Sequence, residues 1–315
     1  MAVSAQAHSF DPAAEMRAHI GRHTDKSFDW DAFPGSRGFP ELERAQMRYI
    51  GAGGSPKTDD PSTLRPGKFT LSLVHQPVGK YAPCHSHEVV EHFLVLKGVL
   101  TVGWTWGDEV IEARLGPKDM VLNQAGRPHG FRNDGVEPVL MSISVGTGMP
   151  KPPVYVCHPR DNDASVARRF GAGPGKTVAF DPSSADPRQR EFIRYIVRRA
   201  ERRPVWQAGF ARLPYIGEGG ALPDKYRMDM IHLPKGVAVR GYARSVEEAY
   251  LVLEGCVTVG WDGPHGTVEE RLGPRDVILN LPGQLRHFRN DGVADAEFML
   301  LVGTSQPEDV GFQPA

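Results

Sequence analysis

The chain has 315 residues, of which 40% are hydrophobic and 24% charged, with a formal net charge of −1. This length suggests about two domains, and a nearly neutral balance supplies no global field for nucleic acid or an anionic membrane surface. Cys84, Cys157 and Cys256 form no CxxC and no even framework, which points to a reducing compartment. With no basic-then-apolar leader and no apolar run near the roughly 18 residues of a membrane span, the expected location is the cytoplasm.

In chain order, residues 11–22 read as a short helix, an N-terminal arm suited to dimer contacts. Gly51-Ala-Gly-Gly54 lacks the G-x-G-x-x-G spacing and the βαβ setting of a dinucleotide loop. Residues 79–98 then read Gly-Lys-Tyr-Ala-Pro-Cys-His-Ser-His-Glu-Val-Val-Glu-His-Phe-Leu-Val-Leu-Lys-Gly, the pattern G-x5-H-x-H-x3-E-x6-G. Strand side chains alternate with period two. His85, His87 and Glu91 share one parity, so they can share one face, with Phe93 and Val95 continuing it as apolar wall. Imidazole and carboxylate are ligands for Fe, Mn, Ni, Co or Zn. His129, in the G-x2-H-x3-N stretch Gly126–Asn133, is the candidate for a fourth ligand from a distant strand. Phe93, Trp106 and Phe131 are candidates to line a pocket. Trp104 reads as structural, Cys84 as a packed small hydrophobe, His75 as serving the fold, and His92, facing away from Glu91, as a surface or interface residue.

The short apolar runs at 93–96, 99–102, 250–253 and 257–259 read as strands; Gly and Pro interrupt each before it reaches helix length. Residues 148–187, rich in Pro, Gly, Asp and Ser, read as linker. Within it Gly171-Ala-Gly-Pro-Gly-Lys-Thr177 imitates a phosphate loop, but the first glycine of that motif is replaced by Phe170. Residues 188–203 read as a helix with an apolar stripe of Phe192, Ile196 and Ala200 and a solvated basic face of Arg190, Arg194, Arg198 and Arg202.

The second half repeats the first at a constant offset of 157. Thr101-Val-Gly-Trp104 returns as Thr258-Val-Gly-Trp261, and Phe131-Arg-Asn-Asp-Gly-Val136 as Phe288-Arg-Asn-Asp-Gly-Val293. Upstream, Tyr49-Ile-Gly returns as Tyr215-Ile-Gly at offset 166, which places a loop nine residues longer in the first half, near 55–62. The repeat is an internal control on the ligand set. His85, His87 and His129 become Tyr242, Arg244 and Arg286, and only Glu91 keeps its counterpart, Glu248. The second half should hold no metal, with the two arginines answering the Glu248 charge. His287, one position beyond the alignment, falls on the opposite face by strand parity.

These two motifs resemble the cupin superfamily. The first fits at every defining position, and in the second Lys118 and Gln124 stand where Gly and Pro are typical. The resemblance implies an all-β protein of two tandem cupin barrels (double-stranded β-helix or jelly-roll) with the N-terminal arm and a connecting helix. The expected divisions are an arm and metal-binding barrel over 1–150, a linker with its basic helix over 151–204, and a metal-free barrel over 205–315. It further implies one divalent transition metal per chain on three His and one Glu, Fe(II) being favoured and Mn, Ni or Zn possible. The leading functional expectation is a bicupin oxygenase, a non-haem Fe(II) dioxygenase cleaving a small enol, diketone or hydroxylated aromatic bound bidentately. The alternatives are a metal-dependent isomerase, lyase or decarboxylase, and a non-catalytic metabolite-binding bicupin. Salicylate- and gentisate-type bicupin dioxygenases generally use three His without the Glu, and oxalate decarboxylases usually keep metal in both barrels. The expected partner is an anionic small-molecule substrate, with no nucleic acid and no membrane, and the chain is expected to form a homo-oligomer.

Overall fold

A computed structural model describes residues 11–52 and 60–315. The longer loop expected near 55–62 falls largely outside that set. The chain is built almost wholly of antiparallel strands folded into two tandem cupin barrels. In the first barrel a six-stranded sheet, ordered Ile196–Val197, Met120–Asn123, Glu91–Lys97, Val139–Val145, Leu71–Gln76, Ala45–Ile50, faces a second. That second sheet runs Val154–Cys157, Tyr81–Ser86, His129–Arg132, Leu100–Trp106, Glu109–Leu115, Thr177–Ala179. The second barrel repeats the central strands at the same register: Glu91 lies opposite Asn123 and Glu248 opposite Asn280. The repeated tryptophans do one job twice. Trp104 Nε1 donates to Asn123 Oδ1 and Trp261 Nε1 to Asn280 Oδ1, each at 2.8 Å, so each buried indole N–H is satisfied.

One apolar cluster runs through both barrels, from Leu73 and Met141 to Met230 and Met299. Polar contacts fix the junction. Tyr226, from the second barrel, donates its hydroxyl to the Ser144 carbonyl at 3.2 Å, and its oxygen lies 3.0 Å from His92 Nδ1. His92 is thus a fully buried interface residue. Tyr226→Phe should cost roughly 1–2 kcal/mol of stability, the scale of a buried hydrogen bond whose partner is stranded; an unchanged urea midpoint would contradict it. Lys118 explains one departure from the usual motif. It sits at φ 67°, where glycine is ordinarily favoured. Its ammonium reaches Glu254 at 2.8 Å and Glu297 at 3.2 Å on the second barrel, a bridge glycine cannot make.

Two expectations need correction. The N-terminal arm forms a helix only over Pro12–Arg17, and Ile20–Gly21 then adds a strand to the chain's own second barrel, against Val277 and Ile278. Met16 is buried in that barrel's core. The arm therefore clasps its own chain. The helix expected over 188–203 stops at Ile193. An open sheet edge captures the next few residues: Leu122 N–H donates to the Tyr195 carbonyl at 2.9 Å and Ile196–Val197 pairs with Val121 and Met120. Edge backbone groups need partners, and here they outcompete helix continuation. Arg198 leaves the supposed basic face to bind Asp119, and its neighbour Arg199 reaches Glu297. Among the described residues no helix is long and apolar enough to cross a membrane.

Candidate metal centre

His85 lies near the end of the Tyr81–Ser86 strand, His129 begins His129–Arg132, and Glu91 begins Glu91–Lys97 in the opposing sheet. His87 stands in the turn between. His85, His87 and Glu91 do not share one face of one strand, as their parity suggested, while His129 does come from a separate strand. The four converge from two sheets and a turn across the barrel. His85 and His129 are register partners, with rings 4.7 Å apart. One donor atom from each of the four lies within 4.8 Å of all the others, and all four residues are buried.

The protonation pattern fits a cation. His85 Nδ1 and His129 Nδ1 each lie 2.8 Å from a backbone carbonyl, those of Pro83 and Arg127. A carbonyl only accepts, so both Nδ1 atoms carry hydrogen, and in the neutral ring each Nε2 presents a lone pair. Burial pushes the His85 and His87 imidazoles below their ordinary range and so toward the neutral form. Burial opposes ionisation of Glu91, while its contacts with His87, His129 and His85 favour the carboxylate and lower its pKa overall. The Nε2 atoms of His85, His87 and His129 stand 4.0, 3.5 and 3.2 Å from Glu91 Oε2. Lone pairs and a carboxylate pointed at one another repel in a dry interior; a shared cation turns that repulsion into ligation, with outer carbonyls orienting the rings.

The centre opens on a cavity of about 290 Å³. Val74, Phe131, Ile143 and Val145 form apolar wall, while Phe33 and Arg44 reach in from the segment before Ala45–Ile50, Gln46 from that outer strand and Tyr155 from the outer strand Val154–Cys157. Of the pocket residues expected, Phe131 lines the cavity. Phe93 does not; it is core, 4.9 Å from the Phe131 ring and 5.7 Å from His129. Trp106 does not either; it packs under the Arg127 guanidinium at 4.8 Å and against Phe192. Arg44, Gln46 and Tyr155 were missed. A signal for Arg44 existed: at offset 166 its counterpart is Phe210, a charge in one half against a ring in the other.

The second barrel shows what replaced a metal. Glu248 is fully buried, and Arg244 Nε donates to its Oε2 at 2.5 Å. Tyr242 and Tyr250 donate to its Oε1 at 2.6 and 2.7 Å, and Arg286 Nε stands 3.5 Å away. His287 points elsewhere, to Asp262 and Glu269 at 3.0 Å each. Cys84 is buried, and burial pushes its thiol up to about 12, which suits an inert packed side chain.

Residues 72–146 match the family model of the cupin domain. No curated protein matches the chain. Among solved structures the chain is similar to a single-substitution variant of the oxalate decarboxylase of Bacillus subtilis, at TM-score 0.66 and 10% identity, covering 93% of this chain and 79% of that one. It is similar also to an oxalate decarboxylase formate complex of Lactobacillus farciminis, at TM-score 0.66 and 11% identity over 93% and 88%. Vicilin of Corylus avellana (hazelnut) shares the fold at TM-score 0.58 and 12% identity over 91% and 86%. Matching motifs, duplicated register and shared architecture agree: residues 72–146 form a cupin domain, and the chain as a whole shares the two-barrel fold of these structures.

Proposed function

We propose that this bicupin is a metal-dependent enzyme that binds one divalent transition metal through His85, His87, Glu91 and His129. The reaction we assign is redox-neutral, an isomerisation, lyase cleavage or decarboxylation of a small anionic substrate. The observation that carries the reading is the convergence of three imidazoles and a carboxylate at a cavity of small-molecule size. A bound divalent cation supplies Lewis acidity there, stabilising negative charge on a substrate oxygen. The chain's own residues do the rest. Pro83 and Arg127 carbonyls hold His85 and His129 in one tautomer. Glu91 contributes the single negative charge among the donors, which leaves a divalent site with net positive charge for an anion. Val74, Phe131, Ile143 and Val145 keep water from the reacting end.

The redox-neutral reading takes support from two fold relatives that are decarboxylases by name. The donor set also suits iron, so an Fe(II) dioxygenase is the second reading. The test reconstitutes apoprotein separately with Fe(II), Mn(II), Ni(II) and Zn(II). Each form is assayed for substrate loss and oxygen uptake on 2-oxo acids, diketones and hydroxylated aromatics. Substrate loss without oxygen uptake is the expected result. Oxygen consumed in step with substrate, with Fe(II) alone, would replace the proposal by the dioxygenase.

A further inference from the structure

Arg44 lines the same cavity and has a need the chain does not meet. It is buried, 5% exposed, and its Nη1 donates to Ser36 Oγ and the Leu42 carbonyl, each at 3.0 Å. Its Nε has no partner, and among the described residues it forms no salt bridge. Burial works against its charge, and the Tyr155 phenol and the Glu91 carboxylate offset that only in part. The Phe33 ring covers the guanidinium at 4.1 Å, a favourable cation–π contact that leaves the Nε–H without a partner. Beside it Gln46 donates from Nε2 to Ser72 Oγ at 3.0 Å, while its Oε1 is buried and unpartnered. Burying a charge without a counter-charge costs several kcal/mol, so a guanidinium kept in this state is explained best by a partner that comes and goes.

The repeat sharpens the point. The counterparts of Arg44 and Tyr155 are Phe210 and Phe312. In the second barrel those two rings lie 5.3 Å apart, each packed on Phe288, the counterpart of Phe131. Three aromatic rings thus pack where the first barrel has a cavity edged by a guanidinium and a phenol. The same backbone position carries a plug in one half and an unpaired cation in the other.

We propose that Arg44 binds a carboxylate of the substrate and so sets the substrate class. That class is an organic acid with an apolar body, whose carboxylate lies on Arg44 and whose second group of oxygens faces His85, His87, Glu91 and His129. The inference rests on the metal-site reading above. The planar fork of arginine matches a carboxylate bidentately, and the apolar walls match the body between the two polar ends.

The test uses Zn(II)-loaded protein and two ligands that differ by one carboxylate: 3,4-dihydroxyphenylacetate and 4-methylcatechol. Calorimetry should show wild type preferring the acid at least tenfold. Arg44→Gln should lose that preference, bind 4-methylcatechol as wild type does, and keep its zinc by elemental analysis. Arg44→Met, which removes an unpaired charge, should melt no lower than wild type without ligand. An acid preference that survives in Arg44→Gln, or no preference in wild type, overturns the inference while the metal reading stands. A large fall in melting temperature for Arg44→Met makes Arg44 a structural residue and overturns it as well. Wild type that binds no zinc removes the metal reading, and this inference with it.

Discussion

His87→Ala is expected to lose tightly bound metal and all metal-dependent activity while remaining folded. His87 sits in the turn after Tyr81–Ser86 and belongs to neither sheet. The apolar cluster through both barrels does not include it, so its removal leaves the core intact. What it takes away is one of four donors in a site whose remaining atoms come from rigid strands and cannot regroup. Affinity should fall by at least about a hundredfold, which is the upper end for outer-sphere losses and a lower bound for a direct ligand. Elemental analysis after exhaustive dialysis gives the answer, and wild-type metal content in the variant would refute the assignment. His287→Ala is the matched control. Its ring bonds Asp262 and Glu269, so metal content should not change.

Glu248→Ala should destabilise the second barrel by about 3–5 kcal/mol, the cost of stranding buried charge. Two guanidinia and two tyrosine hydroxyls converge on this carboxylate, and Arg286 already holds Nε and Nη2 without a hydrogen-bond partner. Removing the anion leaves Arg244 and Arg286 facing each other in a dry interior with only carbonyls as acceptors. Chemical denaturation of wild type and variant measures the loss. An unaltered midpoint would show that the arginines find compensation elsewhere. Glu248→Gln, which keeps the shape and an acceptor, should lose less.

The two barrels and the four convergent donors were legible because duplication writes each motif twice, once intact and once altered. Paired readings such as His87 against Arg244 and Glu91 against Glu248 separate what serves the fold from what serves the site. The pocket wall was not legible in the same way. Phe93 and Trp106 share local parity or proximity with the donors, but the cavity is closed by Phe33 and Arg44, from the segment before the first strand, and by Tyr155, from the outermost strand of the second sheet. Their approach depends on how the flanks wrap a finished barrel, which no short-range pattern encodes. Residues 188–203 failed for a related reason: a good helical stripe lost to an unpaired sheet edge that only the tertiary fold reveals.

The arginines on Glu248 give the second barrel a counter-ion of its own. That half can reach its native packing during synthesis without waiting for a scarce nutrient, and it offers its partner barrel the surface of Tyr226, Met230 and Met299 to assemble against. On the metal reading proposed above, loss of metal would silence the first barrel's site while the Glu248 cluster keeps the second barrel packed.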